Sequence, residues 1–202
     1  MIGIASVAGY WLLWFLLRIL TSRKEKTSLI RRRSPWFTWG TQIYILSISL
    51  YYLAISIWTL DWDAYELSFS LSIGITVISI ALAFNILSLY FLGSNYSLEI
   101  EIKQYHALIT EGPYRFVRHP IYLGNICGFF GLCIIMNNWL AWIGLPAQIV
   151  GFFLMAREEE KVLVENLGDS YAKYKADVPY MLIPWVTFYH SASAASSHTD
   201  EA

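Results

Sequence analysis

Charged residues are scarce in this sequence. Of its 202 residues, 14% are Asp, Glu, Lys or Arg and 56% are hydrophobic. Soluble domains carry about 25% charged residues, so this chain has too little polar surface to cover a globule that faces water on all sides. The composition therefore excludes an ordinary soluble protein and indicates an integral membrane protein, and the length favours a single structural domain.

Cysteines and phosphate-binding loops are also scarce. The chain has two cysteines, Cys127 and Cys133, which lie six residues apart in one apolar run. This spacing places them on different faces of a helix, so it predicts neither a disulfide nor a metal site. No Cys/His cluster has metal-ligand spacing, and no Gly-rich phosphate loop is present. We therefore expect no bound metal and no nucleic-acid partner.

Long apolar runs are what the sequence does have. A transmembrane helix needs roughly 20 mostly apolar residues. Five runs are candidate spans: Ile2–Leu20, Thr38–Leu60, Leu67–Leu92, Ile121–Met136 and Trp139–Ala156. Only two asparagines separate the last two runs, so these are predicted to pair as a tight hairpin. The sequence predicts an all-α, polytopic helical bundle with about five transmembrane helices.

The charges between the spans predict the orientation. Six basic residues follow the first span, and three acidic residues with no basic one follow the second: Arg23, Lys24, Lys26, Arg31, Arg32 and Arg33, then Asp61, Asp63 and Glu66. The positive-inside rule then places the N-terminus outside and the C-terminus in the cytoplasm. We expect three spans in residues 1–92, a catalytic half facing the cytoplasm in 93–190, and a disordered tail in 191–202.

Two clusters of ionisable residues lie at the cytoplasmic ends of the last two spans. Arg118 and His119 directly precede Pro120, which opens the fourth span. The cluster Arg157-Glu158-Glu159-Glu160 directly follows the fifth span. Because the two spans form a hairpin, the clusters are predicted to be neighbours. Ionisable groups at a membrane boundary favour a functional role. The alternative is that the arginine contacts lipid phosphates and the histidine caps a helix.

The residues around these clusters resemble a known family. Gly112-Pro-Tyr114 is followed by Arg118-His-Pro-x-Tyr122-x-Gly124, and Glu159-Glu160 is followed by leucines and tyrosines at helical spacing up to Tyr174. The joint pattern covers roughly residues 95–184. It resembles the isoprenylcysteine carboxyl methyltransferase family, whose members are membrane-integral and depend on S-adenosylmethionine.

The resemblance implies S-adenosylmethionine as the cofactor and a lipophilic or lipid-linked acceptor that enters from the bilayer. Such an enzyme contacts membrane lipids, and the acceptor group that the resemblance favours is a carboxylate like that of a prenylcysteine. The implied cofactor-binding positions are His106, Ala107, Leu108, Ile109, Tyr114, Arg118, His119, Pro120, Ile121, Tyr122 and Glu159. Carboxylates and aromatic faces suit the sulfonium and ammonium groups of this cofactor.

The chain departs from the family at one position. The family has an arginine four residues before the first glutamate, where this chain has Met155, and the nearest arginine is Arg157. Either Arg157 substitutes for that arginine from a neighbouring turn, or the acceptor is not a prenylcysteine carboxylate. We assign the catalytic positions to Arg157 and Glu160. A carboxylate acceptor needs no general base, whereas an amine acceptor needs one such as Glu160 or a tyrosine.

Three other functions fit parts of the pattern. Membrane sterol reductases, which use NADPH, have an Arg-His-x-Asn-Tyr stretch where this chain has Arg118-His-Pro-Ile-Tyr122. Phospholipid N-methyltransferases would act on an amine headgroup. A membrane scaffold with the same fold would tolerate substitution of the ionisable residues. Binding of S-adenosylmethionine would indicate a methyltransferase and binding of NADPH a reductase, whereas binding of neither would favour the scaffold.

Overall fold

The computed structural model describes residues 9, 12, 16, 29–32, 35–59, 69–93, 101–103 and 108–184. Within these ranges the longer helices are α1 (Pro35–Thr59), α2 (Phe69–Leu92), α3 (Pro120–Met136) and α4 (Trp139–Leu167), and a shorter α5 (Asp169–Asp177) follows them. A 3-10 helix spans Gly112–Arg115, and two short strands, β1 (Leu29–Arg32) and β2 (Glu101–Lys103), lie outside the helices. The described architecture is helical, as the sequence predicts.

The helices coincide with four of the five predicted spans. The first predicted span, apart from three single positions, and the predicted tail lie outside the described residues. Helices α2 and α4 are long and apolar enough to cross a membrane, while α3 and the Ile43–Trp58 part of α1 are shorter apolar helices. Many large apolar side chains on these helices are exposed, among them Ile43, Leu50, Ile80, Ile143 and Leu154. Such a surface suits contact with lipid chains.

Helix α4 is longer than predicted. The sequence analysis ends the fifth span at Ala156, but the helix continues to Leu167. The hydropathy falls at the charged residues after Ala156, whereas the helical backbone does not stop there because Glu, Lys and Leu are good helix formers. Gly168 ends the helix with a φ of 53°, in the left-handed region that favours glycine. The chain then turns directly into α5.

A short antiparallel pair of strands was not predicted. Arg32 of β1 lies opposite Glu101 of β2, and Leu29 lies opposite Lys103. The pairing joins the segment before α1 to the segment after α2. It therefore brings part of the basic first loop to the end of the bundle where α2 ends.

The predicted hairpin between α3 and α4 is confirmed. Asn137 ends α3 with a φ of 45°, a left-handed conformation that asparagine tolerates better than most residues. Asn138 then caps α4, and its side chain accepts a hydrogen bond of 2.9 Å from the backbone N–H of Leu140. The two asparagines thus make the turn and start the next helix. The start of α3 and the charged end of α4 are consequently neighbours.

Helices α2 and α3 pack backbone to backbone. A Cβ atom added at Gly74 would lie 2.9 Å from the carbonyl oxygen of Gly131, and one added at Gly131 would lie 3.0 Å from the carbonyl oxygen of Gly74. The two glycines therefore face each other with no room for a side chain on either. Close approach through small residues is a common way for helices to associate in membranes, where the hydrophobic effect does not drive their packing.

Both cysteines are free, as the sequence predicts. Cys133 is buried, and Cys127 is partly buried on the same helix. The thiol of Cys133 donates to the carbonyl of Ala141 at 3.3 Å, and Tyr52 donates to the same carbonyl at 3.2 Å. Cys133 therefore belongs to the contact between α1, α3 and α4.

Candidate active site

A tight turn after Thr110 builds the first part of the site. Gly112 has a φ of 58°, and a Cβ atom there would lie 2.5 Å from ring atoms of Phe91, so glycine is required for both reasons. Pro113 follows at the start of the 3-10 helix. Tyr114 is buried, and its carbonyl accepts a hydrogen bond of 2.7 Å from the hydroxyl of Tyr174. This bond ties the turn to α5.

Arg118 and His119 are fixed through their backbone by a distant segment. The N–H of Arg118 donates to the carbonyl of Tyr180 at 2.9 Å, and the N–H of His119 donates to the carbonyl of Met181 at 3.1 Å. The guanidinium of Arg118 also donates from Nη1 to the carbonyl of Val178 at 2.7 Å. We call residues 178–182 the C-terminal arm. This arm lies along the start of α3 and completes the site from a part of the chain some 60 residues away.

The predicted proximity of the two ionisable clusters is confirmed. Arg118 Nε donates to Glu160 Oε1 at 2.6 Å, and His119 Nε2 lies 3.4 Å from the same oxygen without the alignment of a hydrogen bond. The second oxygen of Glu160 lies 3.0 Å from Lys175 Nζ on α5. The carboxylate of Glu160, which is only 5% exposed, is thus surrounded by three cationic side chains. Such pairing is what a buried carboxylate requires.

Glu159 has a different environment from its neighbour. Its Oε2 accepts a hydrogen bond of 2.9 Å from the hydroxyl of Tyr122 and lies 3.5 Å from His119 Nδ1. The Glu159 side chain is 34% exposed. The rings of His119 and Tyr122 stack at 5.5 Å with an interplanar angle of 5°, and Tyr122 stacks in turn on Phe152. On one side of the site, the partly exposed carboxylate of Glu159 therefore lies beside the stacked rings of His119, Tyr122 and Phe152.

The two glutamates determine the protonation of His119. Burial disfavours the imidazolium, but the two nearby carboxylates, Glu159 and Glu160, outweigh this effect. Together they raise the pKa of His119 to about 9. The histidine is therefore cationic at neutral pH.

The other predicted positions are placed as follows. Leu108 packs against the buried rings of Tyr171 and Tyr174, and Ile109 follows it, partly buried. Pro120 is buried at the first position of α3, and Ile121 beside it is partly buried. His106 and Ala107 lie outside the described residues.

Arg157 lies away from the ionisable cluster. It is exposed, and its guanidinium carbon lies 5.8 Å from the centre of the Phe153 ring. Glu159 is two positions further along the helix, which corresponds to a rotation of about 200°. The structure thus brings together Arg118, His119, Glu159 and Glu160, whereas Arg157 points away from Glu159 on α4. Its assignment as the catalytic arginine stays a prediction.

The sequence analysis missed two contributors to the site. Lys175 contacts Glu160, and the C-terminal arm supplies three carbonyl oxygens to Arg118 and His119. A lysine next to Tyr174, at helical spacing from the predicted tyrosines, could have been noticed. The carbonyl acceptors have no sequence signal because every residue has a carbonyl group. Among the residues that the structure describes, no group of three His, Cys, Asp or Glu side chains has the arrangement of a metal site.

A groove of about 870 Å³ lies beside the 3-10 helix, between this helix and α2. Three residues on one face of α2, Phe84, Leu87 and Phe91, form its apolar wall. Residues 110–113, 115 and 116 line its other side and include the charged Glu111 and Arg115. The groove is apolar along α2 and polar at the end of the helix, which is the direction in which polarity changes across half of a bilayer.

Comparison with known proteins agrees with the resemblance seen in the sequence. The chain is 35% identical over 75 residues to the protein-S-isoprenylcysteine O-methyltransferase of Schizosaccharomyces pombe, covering 37% of this chain and 32% of that protein. It is 31% identical over 90 residues to the human enzyme of the same name, covering 43% of this chain and 32% of that one. It is also 39% identical over 72 residues to methanethiol S-methyltransferase 1 of Bradyrhizobium diazoefficiens, covering 36% of this chain and 24% of that protein. The chain thus spans about a third or less of the length of these relatives.

The fold is similar to that of a solved membrane enzyme. The structure of a eukaryotic intramembrane Ras methyltransferase, an isoprenylcysteine carboxyl methyltransferase, superimposes with a TM-score of 0.57 and 20% sequence identity. The superposition covers 91% of this chain and 68% of that one. At this identity the likeness establishes the fold, which is that of a helical membrane protein.

The family is established by a sequence model. The model that describes phospholipid methyltransferases matches residues 69–170, which is just over half of the chain. The matched region begins with α2 and ends just inside α5, so it includes the turn at Gly112, the Arg118-His119 pair and both glutamates. By this match, the chain belongs to the phospholipid methyltransferase family.

Proposed function

We propose that this protein is a membrane-integral methyltransferase that uses S-adenosylmethionine and acts on a lipophilic acceptor, with a carboxylate as the favoured acceptor group. The observation that carries the proposal is the contact of Arg118 and His119 with Glu159 and Glu160 at one end of the helix bundle. We place the site in the half of the chain from residue 93 to residue 190, facing the cytoplasm.

The chemistry of the side chains fits the cofactor. Glu159 offers a partly exposed carboxylate to the cationic sulfonium or ammonium group, and Tyr122 offers an aromatic face beside it. His119 is cationic and has a buried Nε2 without a hydrogen-bond partner, so it can donate to the carboxylate of the cofactor. Arg118 is occupied by Glu160 and Val178, so we assign it to holding the site together.

When bound, S-adenosylmethionine supplies an electrophilic methyl group on a sulfonium sulfur. Glu159, Tyr122 and His119 would hold the cofactor, and transfer of its methyl group to an acceptor carboxylate would give a methyl ester and a neutral thioether without movement of a proton. The protein then has to align the two groups and keep water away from the acceptor.

Among the residues that the structure describes, those considered as a base are poorly suited to the task, which supports a carboxylate over an amine as the acceptor. An ammonium acceptor must lose a proton before it can attack, and the sequence analysis assigns that task to Glu160 or a tyrosine. Both oxygens of Glu160 contact cations. Burial raises the pKa values of Tyr171 and Tyr174 well above that of free tyrosine, so neither ionises near neutral pH. An acceptor that is already nucleophilic suits these surroundings better.

The groove beside the 3-10 helix supports a lipophilic acceptor. Its apolar wall runs along a helix that is long enough to cross a membrane. A hydrocarbon chain could therefore lie against Phe84, Leu87 and Phe91 while its head reaches the polar end. A small thiol is the second candidate acceptor, because one of the relatives is a methanethiol S-methyltransferase. A thiolate, like a carboxylate, needs no base once it is ionised.

The test begins with binding of S-adenosylmethionine, and separately of NADPH, to the purified protein in detergent. Glu159→Gln and His119→Ala are expected to lose binding of S-adenosylmethionine. Glu158→Gln is the matched control, since Glu158 is the adjacent residue and pairs with the exposed Lys161. Binding of NADPH without S-adenosylmethionine would replace the proposal with a reductase, and binding of neither would favour a scaffold.

The acceptor is tested by transfer of a radiolabelled methyl group. A prenylated cysteine, a phospholipid with an amine headgroup and a small thiol are offered in parallel. The proposal expects a base-labile methyl ester on the prenylated cysteine. Labelling of the amine alone would contradict the assignment of the acceptor but keep that of the cofactor.

A further inference from the structure

Lys175 lies on the part of α5 that faces the ionisable cluster. Helix α5 has two buried tyrosines, Tyr171 and Tyr174, which pack against Val178 and Leu163. The Lys175 side chain is 37% exposed, yet its Nζ lies 3.0 Å from Glu160 Oε2. Its stem thus covers the edge of the cluster while its ammonium group reaches inward.

Glu160 connects Lys175 to the rest of the site. Its Oε1 is shared between Arg118 Nε at 2.6 Å and His119 Nε2 at 3.4 Å, and its Oε2 contacts Lys175. A buried carboxylate is held in one orientation when both of its oxygens have partners. Removal of the ammonium group would leave Oε2 without this partner and let the carboxylate rotate.

The same ion pair connects α5 and the C-terminal arm to α4. The arm begins at Val178, three residues after Lys175, and its carbonyls accept hydrogen bonds from Arg118 and His119. Helix α4 ends at a glycine in the left-handed region, so the direction of α5 depends on contacts made after the turn. The Lys175–Glu160 pair is one such contact, and the bond from Tyr174 to Tyr114 is another.

We propose that Lys175 is a positioning residue: through Glu160 it orients His119 and Arg118 and holds the C-terminal arm against the start of α3. The two adjacent glutamates then have separate tasks. Glu159, partly exposed, faces the cofactor, while Glu160 is a buried link between Lys175 and the histidine. This inference rests on the proposed function only for the identity of the ligand, S-adenosylmethionine.

The test compares Lys175→Met and Lys175→Arg with Lys173→Met, an exposed lysine on the same helix. Lys175→Met is expected to weaken binding of S-adenosylmethionine by on the order of tenfold to a hundredfold, as misplacement of a binding group does. Lys175→Arg should retain most of the affinity because it keeps the charge, and Lys173→Met should match the unchanged protein. Equal affinity in Lys175→Met and Lys173→Met would overturn the inference.

A second readout does not depend on any ligand. The groups that face the His119 ring are Glu159, Glu160, Arg118 and Tyr122, and Lys175 reaches it through Glu160. Loss of the charge alone would shift the His119 titration to higher pH, and that result would contradict the inference. If Lys175 orients Glu160, Lys175→Met lets the carboxylate turn away from the imidazole, so the titration should shift to lower pH. Nitrogen-15 NMR of the histidine-labelled protein measures the titration of His119. The His119 signals are identified as those that are absent from the spectrum of His119→Gln. An unshifted titration would overturn the inference even if the protein bound no S-adenosylmethionine.

A double-mutant cycle separates positioning from general loss of stability. In a Glu160→Gln background the Lys175→Met substitution removes a cation that no longer has a carboxylate to contact. The shift of the His119 titration to lower pH should then be absent, because no carboxylate remains to turn away from the imidazole. The same effect in both backgrounds would mean that Lys175 does not act through Glu160, and the inference would fail.

Discussion

The middle of the helix bundle and its end near Arg118 both bury polar side chains, but the kinds of side chain differ. In the middle, neutral groups pair between helices: Asn85 donates to Asn125 at 3.0 Å, and Tyr44 contacts Gln148 at 3.4 Å. At the end, charged groups from two separate segments converge on Glu160 of α4. Neutral pairs join two helices at low cost. Burial of charges is expensive, so a convergence of buried charges indicates a site more strongly than buried polarity alone does.

The largest effect should come from breaking the charged cluster. Arg118→Ala leaves the Glu160 carboxylate buried without its nearest cation, and we expect a loss of about 3–5 kcal/mol in the free energy of unfolding. Denaturation in mixed micelles measures this loss. Arg115→Ala, the exposed arginine of the same segment, is the control and should have little effect. If Arg118→Ala were as stable as Arg115→Ala, the ion pair with Glu160 would contribute nothing measurable to stability, and the charged end would not differ from the neutral middle in this respect.

The charged end should also respond to pH. The pKa of His119 is about 9 in the folded protein, above the ordinary value of 6.5. Its contribution is therefore fully present below pH 6.5 and is lost as the pH rises through 9. At about 1.36 kcal/mol per pKa unit the loss is at most about 3 kcal/mol.

Thermal unfolding in detergent between about pH 6 and pH 10 checks this prediction. The melting temperature should fall over the alkaline part of that range. His119→Gln removes the titrating group, so its profile should be flatter than that of the unchanged protein. If the melting temperature of His119→Gln also fell steeply at alkaline pH, another group would be responsible. The pH dependence would then not distinguish the charged end from the middle of the bundle.

In the middle of the bundle, the closest packing should give the next largest effect. Gly131→Ala places a methyl group 2.7 Å from Ile78 Cγ1 and 3.0 Å from the carbonyl oxygen of Gly74, and we expect a loss of about 1–3 kcal/mol. Gly40→Ala is the control, because a Cβ atom there meets nothing within 4 Å. It reports the gain in helix propensity alone. Affinity for S-adenosylmethionine per folded molecule should be unchanged in both variants.

The smallest effect is expected at the neutral pair. Asn85→Ala removes the donor to Asn125, and hydrogen bonds between membrane helices are worth about 0.6 kcal/mol on average. Equilibrium unfolding detects a loss of this size, and binding should not change. A clear loss of binding with little loss of stability would extend the site into the bundle and remove the distinction between the two regions.

The sequence predicts local features of this fold better than its distant contacts. Hydropathy is local, so α1, α2 and α3 begin and end close to the predicted positions. Hydropathy predicts the wrong helix end at Ala156, because the sequence becomes polar there while the helix continues to Leu167. The contact of Arg118 and His119 with Glu159 and Glu160 could be predicted because one hairpin brings them together.

Contacts with the backbone could not be predicted. Arg118 donates to the carbonyl of Val178, and carbonyl groups are the same in every residue. The position of Lys175 depends on the direction of the chain after Gly168, which a left-handed glycine permits but does not determine. The side on which Arg157 lies follows from helix phase, but the sequence analysis compared distances along the chain and not angles around the helix.

The hydrogen bonds from Arg118 and His119 to Tyr180 and Met181 have a consequence for the order of events during synthesis. Helices α1 to α4 are complete by Leu167, before the ribosome has made the acceptors for these two residues. The bundle can therefore enter the membrane while its site is still unformed. A chain that stops just before Val178 would keep every described helix and lack the three carbonyl groups that hold Arg118 and His119 in place.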